Sequence, residues 1–150
     1  MSTICIGVIK NVFCNDRNSL RIVIDRFVKN SGYGVFFNGI YEEPFFEAFG
    51  NNDFVFSLAD DYDYNNCEML MLRDGDFYNG SCTTQSFSSK MYFIKNLFLM
   101  LKGFGYPTEL FIGQSGESLE DYTQSIINLD DFVSYMETTD DFKSYHLVIE

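Results

Sequence analysis

The stretch from Ser88 to Pro107, SSKMYFIKNLFLMLKGFGYP, limits what this chain can fold into more than any other. Met91, Ile94, Leu97, Phe98 and Leu101 recur at helical spacing, and Phe93, Leu99 and Met100 carry apolar surface well outside that stripe. A helix with so little polar circumference packs inside a protein rather than on it. From Lys90 to Lys102 it is too short to span a bilayer, and lysines interrupt it at positions 90, 95 and 102. Ser88 and Ser89 offer N-cap oxygens, Gly103 stands where a left-handed residue closes a helix, and Pro107 follows. The expectation is a central apolar helix over about 89–102, with the other elements packed around it.

The flanking sequence supplies strands and two shorter helices. ICIGVI (Ile4 to Ile9) reads as a strand, and an amphipathic helix runs from Asn15 or Asn18 to about Asn30. Leu20, Val23, Ile24, Phe27 and Val28 form its inner face, with Arg21, Asp25 and Lys29 outside, and Ser31-Gly32-Tyr33-Gly34 ends it. From Val35 to Ser81 the pattern turns to β: VFFNGIY, DFVFSL, CEMLML and DFYNG are separated by turn residues. Asp74-Gly75 gives the sharpest hairpin signal, and Asn51-Asn52 and Asn65-Asn66 mark further turns. The segment after Pro44 fits a short helix or a bent connection equally well. Glu109 to Ile112 predicts a strand, and Tyr122 to Asn128 fits a strand better than a helix. Asn128 or Asp130 caps a short helix that buries Phe132, Val133, Tyr135 and Met136, and Tyr145 to Ile149 closes the chain as a strand. The sum is one α+β domain over 1–150, a largely antiparallel sheet with helices packed on it.

Charge is the loudest compositional signal. Ten Lys and Arg face twenty-two Asp and Glu, a net of −12. Residues 1–40 are net +3, and everything after them is net −15. Nucleic acid and anionic membranes are therefore disfavoured as partners, because both are recognised by clustered Lys and Arg. A basic protein is favoured, and its approach is steered by the field. Seventeen Phe and ten Tyr exceed what a core of this size readily takes, so some tyrosines belong on the surface. Cys5, Cys14, Cys67 and Cys82 have no CxxC spacing, and MSTICIGVIKNVF has no basic residue ahead of its apolar run. Both point to free thiols in the cytoplasm, with Asn79-Gly80-Ser81 as a turn rather than a glycosylation site.

No stretch carries a catalytic signature. Asp61-x-Asp63-x-Asn65 imitates the start of a calcium loop, but Asn66 and Leu72 occupy the places of its Gly and Glu. Gly113-Gln114-Ser115-Gly116 approaches a nucleophile elbow, with Glu117 where the last Gly belongs. His146 is the single histidine, so any zinc site or Ser–His pair depends on it. Gly32-x-Gly34 and Gly103-x-Gly105 lack the third glycine of a dinucleotide loop. The expectation is a non-enzyme without metal or cofactor.

What remains is acidic residues interleaved with aromatic ones: Tyr41-Glu42-Glu43, Asp60 to Tyr64, Glu117 to Tyr122, and Asp130 to Tyr135. Tyrosine offers rigid area with a hydrogen-bonding tip, and surrounding carboxylates meet a partner's Arg and Lys. The expected partner-binding residues are Asp60, Asp61, Tyr62, Asp63, Tyr64, Glu117, Glu120 and Asp121. In its general character the chain resembles the immunity proteins of bacterial toxin systems, including contact-dependent growth inhibition. That resemblance implies a protein that binds and neutralises a basic cognate toxin domain, such as a nuclease. Two alternatives stand beside it. One is a phage-type inhibitor that imitates nucleic acid; the other is a ligand-binding domain or enzyme with an aromatic-lined pocket. A pocket holding His146 or Cys67 points to the last, and a convex acidic face with exposed tyrosines points to the binder.

Overall fold

The computed structural model describes residues 3–37, 49–60, 87–114, 118–139 and 143–150. Its elements in chain order are β1 (Thr3–Ile9), α1 (Arg17–Asn30), β2 (Gly34–Phe36), β3 (Phe54–Ala59) and α2 (Phe87–Lys102). They continue with β4 (Thr108–Gln114), β5 (Tyr122–Ile127), α3 (Phe132–Thr138) and β6 (Ser144–Ile149). The strands form one six-stranded sheet in the order β2-β3-β1-β4-β6-β5. Every pairing is antiparallel except β5 with β6. The fold is α+β, as the sequence predicts. The parallel pair follows from the connection between its strands, since α3 supplies the crossover that parallel neighbours need.

Alternation along the strands sorts the two faces of the sheet. In β1, Cys5 and Ile9 point to one face while Ile6 and Val8 point to the other. All three of the described helices pack on the Cys5 face. They supply Leu20, Ile24 and Val28 from α1, Met91, Ile94, Leu97 and Phe98 from α2, and Phe132, Val133 and Met136 from α3. Phe56 lies across β1 at Gly7, its register partner. A Cβ on Gly7 would sit 2.2 Å from the Phe56 ring, so the close contact requires glycine there. The opposite face holds a smaller cluster of Ile6, Val8 and Phe111, with Phe49, Val55, Leu119 and Tyr122 against it.

The central helix is where the sequence places it, with differences at both ends. It begins at Phe87, so Ser88 and Ser89 lie in its first turn instead of capping it. Lys90 does not interrupt the buried face. It belongs to that face, 1% exposed, with its ammonium 2.7 Å from a carboxylate oxygen of Asp60. At the other end the left-handed residue is Gly105 (φ 86), not Gly103. The chain leaves α2 through tightened turns in which the N–H groups of Gly103, Phe104 and Gly105 donate to Met100, Leu101 and Lys102. The reversal is thereby postponed by two residues. Tyr92 and Leu99 are exposed, so the helix keeps an outer side.

The amphipathic helix stops at Ser31-Gly32 as expected. Gly32 N–H donates to Lys29 and Tyr33 N–H to Val28, satisfying carbonyls of the last turn. The predicted runs CEMLML and DFYNG, the Asp74-Gly75 hairpin, the Asn65-Asn66 turn and the Pro44 segment lie outside the described residues. Cys67, Cys82 and the Asn79 sequon lie outside them too. Among the described residues, no helix is long and apolar enough to cross a membrane. Leu97, fully buried at the centre of α2, tests the architecture. Leu97→Ala should lower stability by about 2–5 kcal/mol through lost contacts and the cavity left behind, read from the denaturant midpoint. A loss under about 1 kcal/mol would place α2 at the surface.

Candidate functional site

Of the residues expected to bind a partner, Asp60, Glu120 and Asp121 are among those described. Asp60 faces inward, its side chain 2% exposed, and pairs with Lys90 instead of presenting to a partner. Asp61, Tyr62, Asp63, Tyr64 and Glu117 lie outside the described residues. Glu120 and Asp121 are exposed in a 3-10 turn, Leu119–Asp121, that leads directly into β5. Ser118 caps that turn and donates both its N–H and its hydroxyl to the Asp121 carboxylate. A second 3-10 turn, Leu129–Asp131, follows β5, with Asn128 accepting from Asp130 N–H. It leaves Asp130 and Asp131 exposed.

These two turns bracket an open strand edge. β5 is last in the sheet order and pairs only with β6 among the described residues. The Ile127 carbonyl accepts from Glu150 N–H on the β6 side. Because backbone groups alternate along a strand, those of Gln124 and Ile126 point away from the sheet. Side chains along the strand carry no charge, and Ile126 is 67% exposed. Unpaired backbone groups with an apolar side chain among them are the features that let an edge accept another strand.

A second constellation occupies the sheet face opposite the described helices. Phe111 is its centre: His146 stacks on it at 4.0 Å, and Phe49 and Tyr122 meet it edge-on at 5.6 and 5.8 Å. Strand register explains the grouping, since Phe111 lies opposite His146 across β4 and β6. Gly113 makes room for Tyr122, because a Cβ there would fall 2.2 Å from the phenol oxygen. His146 Nε2 contacts the Glu109 carboxylate, and Lys10 stands 3.8 Å from the other oxygen of Glu109. These groups line a cavity of about 260 Å³ that also includes Val8, Leu119 and Gln124.

Lys10 leads on to Asp53, 2.8 Å away. Asp53 also accepts N–H bonds from Gly50 and from Asn11, which adopts the left-handed conformation (φ 55). Burial pushes the Asp53 carboxyl up. The Lys10 hydrogen bond, the two backbone N–H groups and the Lys10 charge outweigh it and hold the carboxyl below its ordinary value. Phe49 is shared with a larger cavity of about 580 Å³ beside the start of α1. Arg17 and Arg21 line that cavity, their guanidinium carbons 5.4 Å from the Phe54 ring centre and 5.2 Å from that of Phe37.

A carboxylate beside an imidazole can hold and pass a proton, which is the elementary part of general acid–base chemistry. Among the described residues lining that cavity there is no Ser, Thr or Cys to act as a nucleophile. Among the described residues, no group of three or more His, Cys, Asp and Glu could hold a metal ion. Cys5 is buried, which pushes its thiol up and makes it a poor nucleophile, whereas Cys14 is exposed at the larger cavity. Sequence reasoning singled out His146 and missed Glu109, Lys10, Asp53 and the arginine pair. Alternation in TELFIGQ places Glu109 and Phe111 on one face, but only the register of β4 against β6 brings His146 to them.

The Asp53 network makes a pH prediction. Its folded carboxyl lies below the ordinary 3.8, so its contribution to stability is present above that value and is lost as pH falls through the folded one. Asp53→Asn should flatten the fall in denaturant midpoint below about pH 4. An unchanged acid limb would mean that the network adds nothing to the fold.

Comparison with protein-family models, with curated proteins and with solved structures found no match to this chain.

Proposed function

We propose that this chain is an interaction protein of the toxin-immunity kind, working in the cytoplasm by binding and neutralising a basic toxin domain. The open edge of β5, bracketed by carboxylates, carries the reading. Between Ser118 and Thr139 there are five acidic side chains and no Lys or Arg. Glu120 and Asp121 stand before the strand, and Asp130 and Asp131 stand after it. A second copy of this chain is a poor occupant. Antiparallel pairing of β5 with itself sets the carboxylates before one strand against those after the other, and parallel pairing sets like against like. An extended basic segment meets the edge with backbone hydrogen bonds and the flanks with opposite charge, which speeds its approach.

A second reading has its own observation. His146 and Glu109 line an aromatic cavity, as a ligand-binding domain or enzyme requires. Its volume of about 260 Å³ lies just under the usual range for small-molecule sites, roughly 300–1,000 Å³, which favours the edge over the pocket. A nucleic-acid mimic differs from both, because its binding depends on carboxylate spacing and not on a free strand edge.

The experiment uses a short peptide with paired lysines at each end and alternating valine and threonine between. Its association should slow as salt rises from about 0.1 M to 1 M, over which the screening length falls from about 10 Å to 3 Å. The Gln124 and Ile126 amides should gain protection from hydrogen exchange. Ile126→Pro removes one outward N–H while leaving the β5–β6 ladder intact, and should weaken binding roughly tenfold. Salt-insensitive association, or full binding by the proline variant, refutes edge docking. Growth assays test the toxin part: with a toxin-domain gene adjacent to its own, the wild-type chain should protect cells and the proline variant should not.

A further inference from the structure

We propose that the cavity beside the start of α1 binds a small aromatic phosphomonoester, held by Arg17 and Arg21. This cavity is separate from the docking edge and lies at the opposite end of the charge distribution. In a chain with twenty-two carboxylates and ten basic residues, a surface arginine has many possible acidic partners. Yet among the described residues neither Arg17 nor Arg21 makes an ion pair. The nearest carboxylate in the cavity wall, Asp53, is taken by Lys10 and two backbone N–H groups, and Arg17 reaches only its main-chain oxygen, at 3.3 Å.

The two arginines are also held in place. They stand four residues apart on α1, one turn, so both side chains leave the same side of the helix. Each guanidinium carbon lies over a phenylalanine ring, and apart from the Arg17 bond to the Asp53 main-chain oxygen their N–H groups remain for an acceptor. A phosphate has enough oxygens to meet two such forks at once, whereas a monocarboxylate has two. The cavity of about 580 Å³ falls within the usual range for metabolite-sized ligands, and its Phe37, Phe49 and Phe54 side chains offer apolar surface to a ring. Asn18 and Asn51 line it as well and can donate to the remaining oxygens.

The test titrates the full chain with phenyl phosphate, inorganic phosphate and phenol, read by NMR at Arg17, Arg21, Phe37 and Phe54. Phenyl phosphate should saturate and bind more tightly than inorganic phosphate, with phenol weakest. Arg21→Ala should weaken phenyl phosphate binding roughly tenfold or more, the scale of one charge-assisted hydrogen bond, and Arg17→Ala should do the same. Arg21→Lys keeps the charge and loses the fork, so it should fall between wild type and Arg21→Ala. Arg21 is exposed, and an unchanged far-ultraviolet spectrum of its variants separates lost binding from lost folding. The proposal is overturned by no saturation up to about 10 mM, by phenol binding as well as phenyl phosphate, or by wild-type affinity in both alanine variants.

Discussion

The pairing of Lys90 with Asp60 is the contact that the rest of the fold is arranged around. Both side chains are almost wholly removed from water, at 1% and 2% exposure, and stand 2.7 Å apart. Asp60 directly follows β3 and Lys90 lies in the first turn of α2, so the pair ties the sheet to the helix that fills its core. Two charges so deep are a liability if either is alone, because an uncompensated buried charge costs about 3–5 kcal/mol. Together they set one position of α2 against β3, since sliding the helix by a turn would strand both. Tyr33, just after α1, lies close by and stacks on Phe93 of α2 at 4.0 Å. Burial first, and the Asp60 charge second, push its phenol up to about 12, so the charge is felt at the junction of α1, β2 and α2.

How much of this was legible in the sequence depends on whether a feature is local. The buried stripe of α2, the inner face of α1, its stop at Ser31-Gly32 and the strand over Tyr122 to Ile127 all follow from period and punctuation. Period reports which residues share a face; it does not report what that face meets. Lys90 reads as an interruption because lysine is costly to bury, and only a carboxylate thirty residues earlier offsets that cost. Asp60 misleads in the same way. Its neighbours Asp61, Tyr62, Asp63 and Tyr64 suggest an acidic rim, yet Asp60 itself is buried inside. The Lys10–Asp53 and Glu109–His146 contacts span 43 and 37 residues, and they exist only because β1, β3, β4 and β6 are set side by side in a particular register.

The sheet divides labour between its faces and its edges. One face is given to the helices and makes the fold. The other, around Phe111, gathers the titratable side chains that fixed strands can hold still: Glu109 and His146, with Lys10 joining them to Asp53. The edges differ again. β2 is three residues long, a short edge that offers little to pair with, whereas β5 is six residues long, uncharged along its length and closed at each end by a capped turn. An edge of that kind invites aggregation unless something blocks wrong partners. The carboxylates on both turns supply the block against acidic strands and against copies of the chain itself.

The positive and negative ends of the molecule can therefore act without interfering. The arginine cavity adjoins β3, and the acidic brackets adjoin β5, four strand spacings away in the sheet order. At about 4.8 Å per spacing that is roughly 19 Å, more than twice the screening length of about 8 Å at physiological ionic strength. An anion held by Arg17 and Arg21 changes the local charge but is largely screened at the β5 edge, and a basic strand docked on β5 is equally remote from the arginines. Coupling between them would have to pass through packing, along β3, β1, β4 and β6. The Phe111 cluster stands in that path, touching Phe49 toward the arginine cavity and Tyr122 on β5. Screening keeps the two surfaces electrostatically separate, and the packed route between them runs through these edge-on ring contacts.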